Sequence, residues 1–142
     1  MKIITKNEKE TFAFAKKFAR SLQGGEIIGL IGNLGAGKTV FTKGLAAGLG
    51  IKDMVNSPTF VLMKVYKAKG KIKNLVHIDA YRLQSINDLI AIGAQDYFNR
   101  ADTVTVIEWI DKIQKKLPKT NLIIFNLEHK EDNKRVLTCD TK

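Results

Sequence analysis

The sequence predicts a three-layer α/β domain with a mixed, mostly parallel central sheet and β-hairpin additions. Three observations lead there. A continuous apolar run from Glu26 to Ile31 passes straight into a glycine-rich turn and then a helical pattern, the order of a doubly buried parallel strand and its crossover helix. Two later apolar runs, ending on Asp79 and Glu108, read as further buried strands. Alternation of strand and helix gives way to paired β-rich runs toward the C-terminus, which adds hairpins to that core.

The elements follow in order. Asn7 caps a helix with Glu10 three residues on, and Phe14, Ala15, Phe18, Ala19 and Leu22 recur at helical spacing, predicting an amphipathic helix from Glu8 to Leu22. Gly24-Gly25 breaks it before the Glu26–Ile31 strand. The next helix, Lys38 to Leu49, carries Phe41, Leu45 and Leu49 on one side, has Gly44 and Gly48 for close packing, and stops at Gly50. Ser57-Pro58-Thr59 is a turn signal, and Phe60–Lys67 with Ile72–Asp79 reads as a long hairpin. Ser85 caps a short helix, Ile86 to Ala91, and a helical piece around Gln95 to Phe98 follows Gly93. Thr103–Glu108 is another buried strand, a short Lys-rich helix leads to Pro118, and Asn121–Glu128 with Arg135–Thr138 forms a terminal strand pair.

At 142 residues, with no Pro-, Gly- or Ser-rich linker and no internal repeat, residues 1–142 are expected to form one domain. The single cysteine, Cys139, cannot form an internal disulfide, and no stretch is long and apolar enough to cross a bilayer, so the expectation is a soluble protein of the reducing cytoplasm, with no membrane partner. Twenty-four basic against fourteen acidic residues give a formal charge of +10, which attracts an acidic partner such as RNA or a negatively charged protein. The lysines are scattered and no nucleic-acid-binding motif accompanies them, which weighs against a dedicated RNA-binding module.

The chemistry is concentrated in Gly32-Asn-Leu-Gly-Ala-Gly-Lys-Thr39, which fits the Walker A spacing of a phosphate-binding loop, with a strand before it and a helix after it. Glycines let successive backbone amides turn inward around phosphate oxygens, the helix end is positive, Lys38 adds a charge, and the Thr39 hydroxyl can hold Mg²⁺. The nucleotide-binding candidates are therefore Asn33, Leu34, Gly35, Ala36, Gly37, Lys38, Thr39 and Val40. Phosphoryl transfer also needs charge neutralisation and a positioned nucleophile. Asp79 and Glu108, each ending an apolar strand, should reach the same sheet edge as the loop, where one can hold Mg²⁺ and the other orient the attacking water. Lys38, Asp79 and Glu108 are the catalytic candidates.

Other residues leave two readings open. Thr59 either presents its hydroxyl to Mg²⁺ or the γ-phosphate, or is a turn threonine. Arg82 either stabilises transferred charge or makes a surface ion pair. Trp109 follows Glu108 and should point to the opposite face if the strand continues; it is either a core tryptophan or a nucleotide contact. His77 is expected to pack or hydrogen-bond rather than catalyse.

Four stretches together resemble the bacterial TsaE family: the Gly32–Thr39 loop, Val55-Asn-Ser-Pro-Thr-Phe60, His77-Ile-Asp-Ala-Tyr-Arg82 and Ile107-Glu-Trp109. They occur in order, and the resemblance covers nearly the whole chain. The resemblance implies a P-loop ATPase, weakly active alone, that uses ATP and Mg²⁺ in support of the TsaB–TsaD threonylcarbamoyl transferase assembly acting on tRNA. It implies that Thr39 and Glu108 bind Mg²⁺, that Asp79 aids hydrolysis, that the segment around Thr59 is a switch, and that the nucleotide base lies near Glu8 and Asp111. Asn33, where the family usually has Asp, removes a negative charge from the loop rim; Val40 replaces a common second Thr, and Ala80 a larger apolar residue. The enzymatic alternative is a small-molecule kinase, against which stands the scarcity of arginine and of any lid insertion; the absence of an Asn-Lys-x-Asp motif opposes a GTPase.

Overall fold

In a computed structural model, which describes residues 1–113, 115 and 117–141, seven strands form one sheet in the order β1-β7-β6-β2-β5-β4-β3. The strands are β1 (Lys2–Thr5), β2 (Ile27–Ile31), β3 (Met63–Lys67), β4 (Asn74–Asp79), β5 (Thr103–Glu108), β6 (Leu122–His129) and β7 (Arg135–Thr141). The helices are α1 (Glu8–Ala19), α2 (Lys38–Gly48) and α3 (Ile86–Ala91). The central strands β6, β2, β5 and β4 are parallel, whereas β3 and β7 reverse direction. This is the mixed, mostly parallel sheet expected from the sequence.

Strands β2, β4 and β5 are buried on both faces, as their largely apolar runs require. On one face α1 and α2 cover a core that includes Ile28, Leu30, Val104, Val106 and Leu127. Phe41 of α2 and Phe125 of β6, at a ring separation of 4.8 Å, join Phe14 and Phe18 of α1 in an aromatic cluster. On the other face Ile27, Val76, Ile78 and Ile107 pack with Leu89 of α3 and Ile110.

Helix boundaries follow local hydrogen bonding. The Asn7 side chain accepts from the Glu10 amide at 2.9 Å, and the Glu10 carboxylate accepts in turn from the Lys6 amide at 2.7 Å, which starts α1. The helix ends at Ala19 rather than Leu22 because the chain tightens there, the Ser21 and Leu22 amides bonding to carbonyls only three residues back. The first strand of the expected hairpin begins at Met63 rather than Phe60, since Leu62, at φ 68°, turns back so that its amide donates to the Pro58 carbonyl at 2.7 Å. The piece expected around Gln95 is a single 3₁₀ turn, Ala94–Tyr97. After β5 another 3₁₀ turn occupies Ile110–Lys112; the Lys-rich helix expected before Pro118 includes residues 114 and 116, outside the described residues. Strand β1 was not anticipated: it is four residues long and pairs at the sheet edge with β7, at the other end of the chain. No helix among the described residues is long and apolar enough to cross a membrane.

Close approach of α1 and α2 depends on two glycines. A Cβ on Gly44 would lie 2.5 Å from the Phe12 carbonyl oxygen, and one on Gly48 2.3 Å from that of Lys16. Neither backbone oxygen can swing aside. Gly44→Leu adds about 1 kcal/mol of helix propensity but forces the helices apart, an overpacking cost of about 3 kcal/mol that prevails. A melting temperature lowered by about 5 °C or more in calorimetry is the expected result; an unchanged value would refute this packing argument.

Candidate functional site

The glycine-rich turn leaves β2 and enters α2 through Gly37, which sits at φ 106° in a region that side-chain-bearing residues rarely adopt. No side chain caps this helix. Its first-turn amides, which have no carbonyl partner within the helix, remain available to an anion together with the positive end of the helix dipole. Leu34 at the loop tip is almost fully exposed.

Lys38 and Thr39 begin α2, and their side chains are held by opposite parts of the site. The Lys38 ammonium donates to the carbonyls of Gly32 at 2.5 Å and Asn33 at 2.9 Å, and lies 4.0 Å from the centre of the Trp109 ring. Burial pulls its pKa below the usual lysine value, against the opposing pull of Glu108, Asp79 and Asp111. An arriving phosphate would favour the charged form and offset that desolvation. Thr39 instead donates to Glu108 Oε1 at 3.2 Å, joining the loop to the end of β5.

Glu108 and Asp79 are brought together by sheet register. Strands β4 and β5 are parallel with Asp79 opposite Glu108, so both carboxylates leave the same face at the C-terminal edge, where open α/β sheets bind ligands. Both are buried. Asp79 Oδ2 accepts from the Ser57 hydroxyl and Oδ1 from the Tyr81 amide, each at 3.0 Å. The Thr59 hydroxyl donates to Ser57 Oγ at 3.4 Å, so the Ser57–Thr59 turn is tied to β4 through Asp79. Glu108 Oε2 is hydrogen-bonded to His77 Nε2. The expectation that His77 makes a structural contact is met, and the contact is with a site residue.

Trp109 does not point to the opposite face. Strand β5 ends at Glu108, and Trp109 turns at φ 60°, ψ 38°, conformations uncommon for a bulky residue. That turn lays its ring against Tyr81, 4.9 Å between centres, and under Lys38. It is only partly buried and lines the site.

These groups border a cleft of about 530 Å³ whose walls include Gly35, Gly37, Lys38, Thr39, Val40, Ser57, Thr59, Asp79, Glu108 and Trp109. Glu8 lines the same cleft and also a neighbouring hollow of about 510 Å³ shared with Asn7, Lys9 and Asn133. One Glu8 oxygen is 3.8 Å from the buried Arg135 guanidinium. Arg82 borders the cleft with its guanidinium 5.5 Å from the Phe60 ring and in no ion pair among the described residues. Asn33, Ala36 and Asp111 do not line the cleft: Asn33 contributes its carbonyl to Lys38, Ala36 is buried, and exposed Asp111 acts on Lys38 through charge.

The donor set of the cleft is suited to a hard cation beside phosphate. Thr39 and Glu108 offer oxygen, and no group of three or more His, Cys, Asp or Glu among the described residues could hold a metal unaided. An ion there would need phosphate oxygens and water to complete its shell, the binding habit of Mg²⁺. The residue missed in the sequence is Ser57, whose hydroxyl is visible only as a turn signal until the fold places it on Asp79. Under the hydrolytic role expected from the sequence, Ser57→Ala should release one Asp79 oxygen and lower turnover about tenfold, the worth of one hydrogen bond to a charged group. Steady-state phosphate release checks this, and an unchanged rate would remove Ser57 from the site.

Comparison with known proteins identifies the family. The family model "Threonylcarbamoyl adenosine biosynthesis protein TsaE" matches residues 5–137. The Bacillus subtilis tRNA threonylcarbamoyladenosine biosynthesis protein TsaE is 40% identical over 134 residues, covering 94% of this chain and 81% of the relative. The Treponema pallidum protein of the same name is 38% identical over 138 residues, covering 97% and 98%. The crystal structure of Bacillus subtilis YdiB superposes with a TM-score of 0.82 at 34% identity, covering all of this chain and 86% of the other. With a phosphate-loop site at the expected sheet edge and a family match over nearly its whole length, the chain belongs to the TsaE family.

Proposed function

We propose that this protein hydrolyses ATP with Mg²⁺ in support of a TsaB–TsaD threonylcarbamoyl transferase assembly that modifies tRNA, and that it does so in the cytoplasm. Membership of the TsaE family supplies the role in threonylcarbamoyladenosine biosynthesis. One observation carries the hydrolytic reading: the Thr39 hydroxyl and the Glu108 carboxylate meet at 3.2 Å beside the phosphate loop, with Asp79 paired to Glu108 in register.

In this reading the loop from Asn33 through Val40 cradles the phosphates with backbone amides, and Lys38 exchanges its carbonyl partners for phosphate oxygens. Thr39 and Glu108 hold Mg²⁺, which when bound neutralises charge on the phosphates. Asp79, kept in place by Ser57 and the Tyr81 amide, accepts a hydrogen bond from water and orients it toward the γ-phosphate. Thr59 couples the turn after α2 to that water through Ser57. Trp109 walls the cleft, and Glu8, with Asp111 beyond the rim, marks the side from which the base approaches. Turnover is expected to be slow alone because the loop lysine rests on the protein's own carbonyls and the mouth is open.

The test is phosphate release from ATP and from GTP, with and without purified TsaB–TsaD. Stimulated release from ATP is the expected outcome. Phosphorylation of a small metabolite with no partner present would instead indicate a kinase.

A further inference from the structure

We propose that His77 is a positioning residue for Glu108: it holds one carboxylate oxygen so that the other remains turned toward Thr39 and the metal. The inference rests on the assignment of Thr39 and Glu108 as Mg²⁺ ligands made above. His77 is fully buried on β4, two residues before Asp79 and therefore on the same sheet face. Its in-register neighbour on β5 is Val106, which makes Glu108 the diagonal neighbour, within reach of a ring side chain.

The two oxygens of Glu108 have different partners. Oε2 is bonded to His77 Nε2, whereas Oε1 accepts from the Thr39 hydroxyl at 3.2 Å. A carboxylate only accepts, so the histidine proton in this bond is on Nε2. With Oε2 engaged, rotation of the carboxyl group is restricted and Oε1 is kept at the cleft. The alternative is a core histidine that took the nearest acceptor. Against it, His77 Nδ1 is buried and has no hydrogen-bond partner among the described residues. Leu75 of β4 and Val104 and Val106 of β5, fully buried on the same face as His77, show that an apolar side chain suits this depth. An imidazole placed there with one nitrogen unmatched serves its single partner, Glu108. Loss of a hydrogen bond behind a metal-ligating group typically weakens metal binding about 10- to 100-fold.

The experiment is calorimetric titration of ADP into wild type, His77→Phe and His77→Gln, each with Mg²⁺ and with EDTA. In EDTA all three are expected to bind ADP alike. His77→Phe should lose about tenfold or more of the Mg²⁺-dependent gain in affinity, while His77→Gln, whose amide nitrogen falls near the position of Nε2, should keep most of it. Full gain in His77→Phe, or equal loss in both variants, would overturn the inference and leave the ligand assignment standing. A wild type with no gain from Mg²⁺ would overturn both. Should His77→Phe not fold, His77→Asn, too short to reach Glu108, must show the same loss, and full gain there would also overturn the proposal.

Discussion

Lys38→Ala is expected to lower ATP turnover by about 10²–10³-fold while the domain stays folded, the usual cost of deleting one pre-positioned donor to developing charge. The lysine is buried, touches two carbonyls of its own loop and lies over Trp109. Its contribution to stability is small because burial already opposes its charge. Gly32 is half-buried and Asn33 exposed, so water can take the place of the ammonium on their carbonyls. The effect therefore falls on the phosphate-bound states. Phosphate release and circular dichroism on the same sample check both halves, and normal hydrolysis by the variant would remove the loop from the mechanism.

Glu108→Ala should have a comparable effect on Mg²⁺-dependent turnover, about 10²-fold or more, because it removes a proposed ligand and frees the Thr39 hydroxyl at once. Its structural cost is smaller. His77 Nε2 loses its partner in a ring whose Nδ1 is already unmatched, which costs about 1–3 kcal/mol for a buried donor. Titration of turnover against Mg²⁺ separates the two: the variant's curve should shift to higher Mg²⁺ by more than its stability loss accounts for. An unchanged Mg²⁺ requirement would count against Glu108 as a ligand. Glu108→Gln, which keeps the volume but not the charge, should resemble alanine in Mg²⁺ dependence and wild type in melting temperature.

Much of this site is legible in the sequence because its parts are local. Gly32 to Thr39 carries its own strand, turn and helix signals, and Asp79 and Glu108 each close an apolar run, so sheet topology alone takes them to one edge. What escaped depends on contacts between distant segments. Ser57 reads as half of a Ser-Pro turn, and only β4 shows that its hydroxyl meets Asp79. Trp109 reads as the next residue of a strand; the left-handed turn that ends β5 places it between Lys38 and Tyr81, which are far from it in sequence. The turn at Leu62 is likewise hidden, since leucine carries no signal for φ 68°. Strand β1 is too short and too exposed for periodicity to register, and exists through its pairing with β7. Glu8 is visible as a helix-start acid, yet its place beside the cleft follows from the packing of α1 on α2 and from Arg135 on β7.

If the nucleotide site serves the tRNA-modifying assembly as proposed, one reconstitution shows it. Purified TsaB–TsaD, tRNA, the threonylcarbamoyl donor and ATP are combined with and without this protein, and modified adenosine is counted per transferase complex. Repeated rounds of modification are expected with the wild type, and loss of those rounds with Lys38→Ala. Equal modification in the presence and absence of this protein would contradict the proposal.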